Sequence, residues 1–328
     1  MLPLTYSRPS DVRAALAAAS TQDTYFIGGG TNLLDLMKAG VEKARTLVDV
    51  NHLGLDRIER ASDGGVRIGA GVRNTDAANH AMIRADYPLL SQAFLAGASA
   101  QLRNMATVGG NLMQRTRCDY FVDTAYEHCN KRKPGSGCAA LEGFNKLHAI
   151  IGYSDACVAV NPSDMNVALV ALDAVINVEG PNGTRRIPIT EFHRLPGEHP
   201  EIDTTLKHGE LITSIDLPKS TATRNAHYLK LRERGSYAFA LVSVAVALTM
   251  LDHRIDSARI ALGGVAHKPW FAEKASASLA GKGKDAIDYA AVAALAVDDA
   301  KALSQNGYKI PLAKNAVERA LRTAVEAA

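Results

Sequence analysis

The chain has 328 residues, of which 47% are hydrophobic and 22% are charged, a composition typical of globular proteins with buried cores. Its formal net charge of +3 is too small and too dispersed to predict binding to nucleic acid or to an acidic membrane surface. No apolar run approaches the ~18–20 residues that a membrane-spanning helix needs, so we expect no membrane span.

The N-terminal segment MLPLTYSRPSDVRAAL has no basic start followed by an apolar block, and therefore does not predict a signal peptide. We expect a cytoplasmic chain, or a periplasmic one if a partner subunit with its own signal carries it there. Within this segment Ser10 and Asp11 precede VRAALAAAS, which predicts a capped, alanine-rich first helix.

The first glycine loop lies in TYFIGGGTNLLDLMKAG, where a short β-type run precedes Gly28-Gly29-Gly30 and an amphipathic segment. The following ARTLVDV predicts a second strand that ends in Asp49, so the whole segment predicts a strand–helix–strand unit. Glycines leave backbone N–H groups unobstructed, and such a loop before a helix is typical of phosphate binding.

Later segments of the sequence also alternate between predicted strands and predicted helices. VRIGAGVRNTDAANHAM predicts a strand, a turn and a helix, and ACVAVNPSDMNVALVALDAVINVEG predicts a strand, a helix that begins near Ser163, and another strand. The polar segment from Pro218 predicts a domain boundary. Beyond it, ALVSVAVALTML and ARIALGGVA predict two paired strands, and alanine-rich helices follow to the C-terminus.

A second glycine loop, TVGGN at residues 107–111, also combines adjacent glycines with a nearby asparagine, as the first loop does. Two such loops suit a pyrophosphate held from both sides, although either could be only a tight turn. The rival prediction is a dinucleotide site with Asp49 on the ribose, since Asp49 follows the first loop at about the right distance. Leu33 stands where that motif requires its third glycine, which disfavours the rival.

All four cysteines, Cys118, Cys129, Cys138 and Cys157, fall within 40 residues with the spacing C-x10-C-x8-C-x18-C. An even number of cysteines permits disulfides, but the sequence predicts no oxidising compartment in which they would form. Zinc sites usually contain closely spaced cysteine pairs, which are absent here. An iron–sulfur cluster tolerates long, irregular spacing. Unrelated buried thiols are the remaining alternative, and the clustering favours a metal or cluster over them.

Five motifs occur in chain order: FIGGGTNLLDLMKAG, ATVGGNLMQRTRC, PSDMNVALVALDA, YLKLRERGSYAFALVSVAVAL and ARIALGGVAHKP. Together they resemble the FAD-binding medium subunit of molybdenum hydroxylases, the xanthine dehydrogenase and carbon monoxide dehydrogenase group. The resemblance implies an α+β fold: a vanillyl-alcohol-oxidase (PCMH-type) FAD-binding fold of two subdomains, then a C-terminal α+β domain of the CO dehydrogenase flavoprotein type. The implied bounds are residues 1–57, 58–218 and 219–328, with an insertion at about 114–157.

The resemblance also implies which residues contact FAD. They are Phe26, Ile27, Gly28, Gly29, Gly30, Thr31, Asn32, Leu33, Leu34, Thr107, Gly109, Gly110, Asn111, Asp164, Ile212 and Lys230. The two glycine loops would hold the diphosphate, Asp164 would bind the ribityl region, and Ile212 would offer backbone and apolar contact. Lys230 would approach the isoalloxazine ring, although a solvated strand lysine is the simpler interpretation of its sequence context.

The inserted segment resembles that of bacterial aldehyde oxidoreductase flavoprotein subunits, which implies a [4Fe-4S] cluster on Cys118, Cys129, Cys138 and Cys157. His128, next to a cysteine, is expected at the surface or beside the ligands. The implied enzyme is a heterotrimer, possibly dimerised, with a molybdenum-cofactor large subunit and a small subunit carrying two [2Fe-2S] clusters. FAD would pass electrons to an external acceptor, and we expect no catalytic residue in this chain.

Two alternatives remain open at this point. Within the class, the chain could serve a complex like 4-hydroxybenzoyl-CoA reductase or xanthine dehydrogenase. From another class, it could be a cluster-bearing scaffold or an NAD-binding protein without flavin.

Overall fold

Three β-sheets, each built from its own stretch of the chain, form the framework of the computed structural model, which describes residues 3–219 and 222–327. The first sheet contains β1 Thr5–Ser7, β2 Thr24–Ile27 and β3 Thr46–Asp49. Its order is β1-β3-β2 and its strands are parallel, which confirms the predicted strand–helix–strand unit. The first helix begins as predicted, because the Asp11 side chain accepts a hydrogen bond from Ala14 N.

The second sheet is antiparallel. Its strands are β4 Ile58–Arg60, β5 Val66–Gly69, β6 Val175–Gly180, β7 Gly183–Pro188 and β8 Leu211–Leu217, in the order β4-β5-β8-β6-β7. Because β8 pairs with both β5 and β6, it brings residues from two distant stretches into one core.

The third sheet is also antiparallel. Its strands are β9 Ala226–Leu231, β10 Val242–Leu251, β11 Arg254–Gly263 and β12 Trp270–Phe271, in the order β12-β11-β10-β9. The predicted pairing of two apolar strands is confirmed by β10 and β11. The predicted domain boundaries after residues 57 and 218 both fall between sheets, and they stay predictions.

Helices connect and cover the sheets. They are α1 Val12–Ala18, α2 Leu33–Lys38, α3 Asn74–Asn79, α4 Ala81–Asp86, α5 Pro88–Ala96, α6 Ala100–Met105, α7 Val108–Leu112, α8 Asp119–Val122, α9 Asp164–Ala171, α10 Ile189–Phe192, α11 Glu273–Ala277, α12 Tyr289–Leu295 and α13 Lys309–Glu326. In the part of the chain that the structure describes, no helix is both long and apolar enough to cross a membrane.

Helix α9 lies at the centre of the molecule. All eight of its residues are buried, and it packs against α5, β10 and β11. Ser163 caps it as predicted, by accepting a hydrogen bond from Asn166 N. The strand predicted just before it, at residues 156–160, is wrong: this segment joins no sheet, and its Val158 carbonyl accepts from Ala149 N instead.

The inserted segment is largely turns and loops, and the C-terminal helix holds it in place. Lys309, at the start of α13, is completely buried. Its ammonium donates to the carbonyl oxygens of Leu147, His148 and Gly264 at 3.1, 3.0 and 2.5 Å. The buried Lys309 side chain therefore joins the insertion to Gly264, which directly follows β11.

Candidate functional site

A cleft of about 630 Å³ separates the first glycine loop from the strand β8. Most of the predicted contact residues line it: Phe26, Ile27, Gly28, Gly29, Gly30, Thr31, Asn32, Leu33, Thr107, Gly109, Gly110 and Ile212. Leu34 does not line it, and instead packs with Met37, Ala44 and Leu47 in a small core under the loop.

The first glycine loop presents unused backbone donors. Among the described residues, no acceptor is found for the N–H groups of residues 29–33, because the first helical bond runs from Leu34 N to the Gly30 carbonyl. Five adjacent N–H groups without acceptors at the wall of a cleft are available to a ligand, and an anion is the ligand that the sequence predicts for this loop.

The sequence suggests that the glycines of this loop keep backbone N–H groups accessible, but the structure shows that they also prevent steric clashes with neighbouring residues. A Cβ on Gly29 would lie 1.9 Å from the Met105 carbonyl oxygen, and one on Gly28 would lie 2.7 Å from Thr107 Oγ1. Gly30 adopts a φ of +69°, which side-chain-bearing residues rarely adopt. The glycines therefore let the two loops touch, rather than only keeping space for a ligand.

The second glycine loop has its amides occupied. Gly109 N donates to the Ala70 carbonyl at 2.8 Å, Gly110 N donates to Thr107 Oγ1 at 3.2 Å, and Asn111 N donates to the Thr107 carbonyl at 2.8 Å. The sequence argument that both loops offer open amides thus holds in the geometry only for the first. The second loop lines the same cleft next to the first loop.

A hydrogen-bonded network under the first loop fixes its position. Asp49 is buried and accepts from Tyr6 Oη at 2.5 Å and from Asn51 Nδ2 at 2.6 Å, so it is not free for a ribose. Asn51 Nδ2 also donates to the Gly28 carbonyl at 3.1 Å. Arg73 then bonds both Asn51 Oδ1 and the Met105 carbonyl, at 3.0 and 2.5 Å, and so joins the two loops.

A second cleft, of about 320 Å³, meets the first at Thr31, Asn32 and Gly110, and extends to Asn111 and Asp164. Asn32 marks the junction: its Oδ1 accepts from Arg115 N at 2.8 Å, while its buried Nδ2 has no acceptor among the described residues. A buried amide donor without a partner is costly, so the junction fits a ligand that supplies an oxygen there.

Asp164 and Lys230 form one buried pair at the second cleft. Lys230 Nζ lies 2.8 Å from Asp164 Oδ2, and the two side chains are 4% and 8% exposed, so the alternative of a solvated lysine is wrong. Tyr228 Oη donates to Asp164 Oδ1 at 2.6 Å. Burial, with the neighbouring Asp164 charge, raises the pKa of Tyr228 well above its usual value. Only Asp164 of this trio lines the cleft.

A charged network connects the first cleft to the inserted segment. Arg115 bonds Glu42 and Asp203 at 2.5 and 2.7 Å, and the almost fully buried Lys131 bonds Asp203 at 2.5 Å. Although burial opposes ionisation, the Lys131 and Arg115 charges lower the pKa of Asp203 to about 2. The sequence does not reveal this network, because Arg115 is 73 and 88 residues from Glu42 and Asp203, and Lys131 is 72 residues from Asp203.

The four cysteines surround one small cavity in the inserted segment, and all are free thiols. Cys129 and Cys138 face each other across an isolated β-bridge. Burial raises the pKa of Cys118 to about 12 and that of Cys157 to about 11, and Lys131, which lines the same cavity, opposes the rise at Cys157. The folded chain therefore assembles residues that are up to 39 positions apart in sequence.

The distances between the side chains around this cavity determine which kind of metal centre they could hold. Within residues 3–219 and 222–327, no three His, Cys, Asp or Glu side chains are close enough to hold a single metal ion. The histidine that contacts a cysteine is His148, with Nε2 3.1 Å from Cys118 Sγ, and burial lowers its pKa to about 4. His128 lies at the cavity wall and bonds the Ser136 carbonyl through Nδ1.

Two joined clefts with a row of free amides offer the space and the donors that an elongated, phosphate-bearing ligand needs. Residues 2–220 match the family described as the FAD binding domain in molybdopterin dehydrogenase, and residues 227–324 match the CO dehydrogenase flavoprotein C-terminal domain. The chain therefore belongs to the FAD-binding subunits of the molybdenum hydroxylases, which are oxidoreductases. This family also argues against an NAD-binding protein or a scaffold without flavin.

Within the family, the chain is 51% identical over 326 residues to the aldehyde oxidoreductase FAD-binding subunit PaoB of Escherichia coli (strain K12), with 99% of each chain covered. It is 28% identical over 326 residues to the carbon monoxide dehydrogenase medium chain of Hydrogenophaga pseudoflava, with 97% and 96% covered. A solved carbon monoxide dehydrogenase from that organism, lacking the Mo-pyranopterin moiety, matches with a TM-score of 0.77 at 26% identity over 100% and 99% of the chains. The predicted α+β fold is confirmed.

Proposed function

We propose that the chain binds FAD across the two joined clefts and serves as the flavin subunit of a molybdenum-dependent aldehyde oxidoreductase. The observation that supports this most is the row of unused amides at residues 29–33 beside the unpartnered Asn32 Nδ2. The diphosphate would lie against these amides, next to Thr107, Gly109 and Gly110 of the second loop. Aldehyde as the substrate class rests on the 51% identity to the aldehyde oxidoreductase subunit.

The chain's own residues would bind and orient the cofactor. Asp164, held by Tyr228 and Lys230, would accept a hydrogen bond from the polar chain or ring of FAD in the second cleft. FAD accepts two electrons and can release them to a different partner, which is the chemistry that it supplies when bound. Electrons would come from [2Fe-2S] clusters of a partner subunit and leave to an external acceptor.

The partners would be a molybdenum-cofactor large subunit, which oxidises the aldehyde, and a small [2Fe-2S] subunit, giving a heterotrimer. This chain would contribute no residue to aldehyde oxidation. Co-expression of the three subunits, followed by gel filtration, tests the assembly, and a chain that stays alone would contradict it.

We also propose a [4Fe-4S] cluster on Cys118, Cys129, Cys138 and Cys157. Four free thiols around one cavity supply the ligand number of such a cluster. A four-iron cluster sits between its ligands, so its cysteine sulfurs stand farther apart than those around a single ion. Lys131 would offset part of the negative charge that deprotonated thiols bring into this buried site.

Two measurements on the purified chain separate these proposals. A visible spectrum with flavin bands and one FAD released per chain on denaturation supports the first, and a colourless chain that binds no added FAD would contradict it. Iron and acid-labile sulfide should each amount to four per chain. Zinc in place of iron, or unchanged iron after Cys138→Ser, would contradict the cluster assignment.

A further inference from the structure

Three arginines line the second cleft, and they differ in what their side chains bind. Arg103 donates to the Gly97 carbonyl oxygen at 2.6 Å, and Arg234 donates through Nε to the Tyr237 carbonyl oxygen at 2.9 Å. Arg117 forms no hydrogen bond or salt bridge with any residue that the structure describes, and its Nε is buried without an acceptor.

The surroundings of Arg117 leave its charge largely uncompensated. Its guanidinium carbon lies 5.4 Å from the centroid of the Phe239 ring, which holds the side chain in place. Burial lowers the pKa of Arg117, and Asp35, an exposed carboxylate at the edge of the same cleft, opposes that shift. A buried guanidinium N–H that finds no acceptor in the protein is costly, and indicates that a ligand supplies one.

Lys230, which the sequence singled out as the cation of the flavin ring, is placed differently. Its ammonium is neutralised by Asp164 at 2.8 Å and donates to the Ala96 carbonyl oxygen at 3.1 Å. It also lies outside the residues that line the two clefts. The pair of Lys230 and Asp164 therefore presents almost no net charge to the second cleft, whereas Arg117 presents a full one.

We propose that Arg117 contacts the flavin ring of FAD and favours its reduced form. The inference rests on the proposed FAD site. Two electrons and one proton enter the ring on reduction, which leaves one negative charge near the ring carbonyls. A guanidinium held at the wall of the same cleft is attracted to that charge and donates an N–H to it, so Arg117 binds the reduced cofactor more tightly than the oxidised one.

The test compares full-length, FAD-loaded variants by anaerobic redox titration and by the dissociation constant of oxidised FAD. In Arg117→Met, the preference for reduced over oxidised FAD should fall about tenfold, which is about 30 mV for a two-electron couple. Arg117→Gln, which keeps donors but loses the charge, should show a shift in the same direction. Arg117→Lys should keep most of the wild-type potential.

Arg322→Met is the matched control, because Arg322 also lies over an aromatic ring, 4.0 Å from the Tyr289 centroid, but in the C-terminal domain. Its potential should equal that of the wild type. An unchanged potential in both Arg117→Met and Arg117→Gln would overturn the inference, as would an equal shift in the control. If the wild-type chain binds no FAD, the proposed function itself fails, whereas bound FAD with an unshifted potential rejects only the role of Arg117.

Discussion

Removing the Lys230 ammonium should destabilise the fold through the carboxylate that it leaves behind. At the 2.8 Å separation of Lys230 Nζ and Asp164 Oδ2, Coulomb's law gives about 6 kcal/mol of attraction at an effective dielectric constant of about 20. Desolvation of both groups offsets part of this, and removal of one partner of a buried pair typically costs about 3–5 kcal/mol. We therefore expect Lys230→Met to lower the free energy of unfolding by about 3–5 kcal/mol.

The assay is urea unfolding of the purified chain without FAD, so that cofactor loss does not contribute. Lys146→Met is the control, because Lys146 pairs with Glu233 at a similar 2.7 Å, but with side chains 44% and 54% exposed. Solvent screens an exposed pair of this kind, so its loss should change the free energy of unfolding far less. The double variant Lys230→Met/Asp164→Asn should recover much of the lost stability. If Lys230→Met costs no more than Lys146→Met, the buried-pair argument is wrong.

Three further outcomes follow from the site. Gly29→Ala places its Cβ 1.9 Å from the Met105 carbonyl oxygen, so it should separate the loops and abolish FAD retention, whereas Gly283→Ala, with open space around its Cβ, should retain it. Asn32→Ala removes a buried donor and should weaken FAD binding by about 1.5–3 kcal/mol if the diphosphate accepts from Nδ2; titration of the FAD-free chain measures this, and unchanged affinity would contradict the assignment. Burial lowers the pKa of His193 from 6.5 to about 4. As the pH falls, this histidine is therefore protonated in the unfolded chain at a higher pH than in the folded chain. The free energy of unfolding should therefore fall as the pH drops from 6.5 towards 4, by up to about 3 kcal/mol from this group, and a pH series should show a shallower fall in His193→Gln.

The fold was predictable where local pattern decides it. The parallel unit around the first glycine loop and the Ser163 cap depend on residues close together in the sequence, so their motifs identify them directly. The segment at 156–160 is apolar and β-branched like a strand, yet its Val158 carbonyl accepts from Ala149 N in the inserted segment, and it joins no sheet. Periodicity alone cannot distinguish these cases.

The candidate site was predictable in its glycines and cysteines and less so in its charges. Lys230 and Asp164 are 66 residues apart, and nothing in either local sequence indicates that they neutralise each other. Arg117 lies near the end of the motif ATVGGNLMQRTRC, but nothing in that motif indicates that it lines one cleft with Asp35, Phe239 and Asp164. Long-range pairing of charges is set by tertiary packing, which a single sequence does not display.

The position of Asp203 gives the two proposed cofactor sites a common counter-ion. On one side it holds Arg115, whose backbone N–H orients Asn32 at the cleft junction, and on the other it holds Lys131 at the cysteine cavity. A change in charge at the cysteine cavity therefore alters the electrostatic environment of Arg115, whose backbone N–H donates to Asn32 at the cleft junction. The two proposed sites are thus linked through one carboxylate, so we expect loading of one cofactor to favour loading of the other, and a chain from iron-starved cells to contain less flavin.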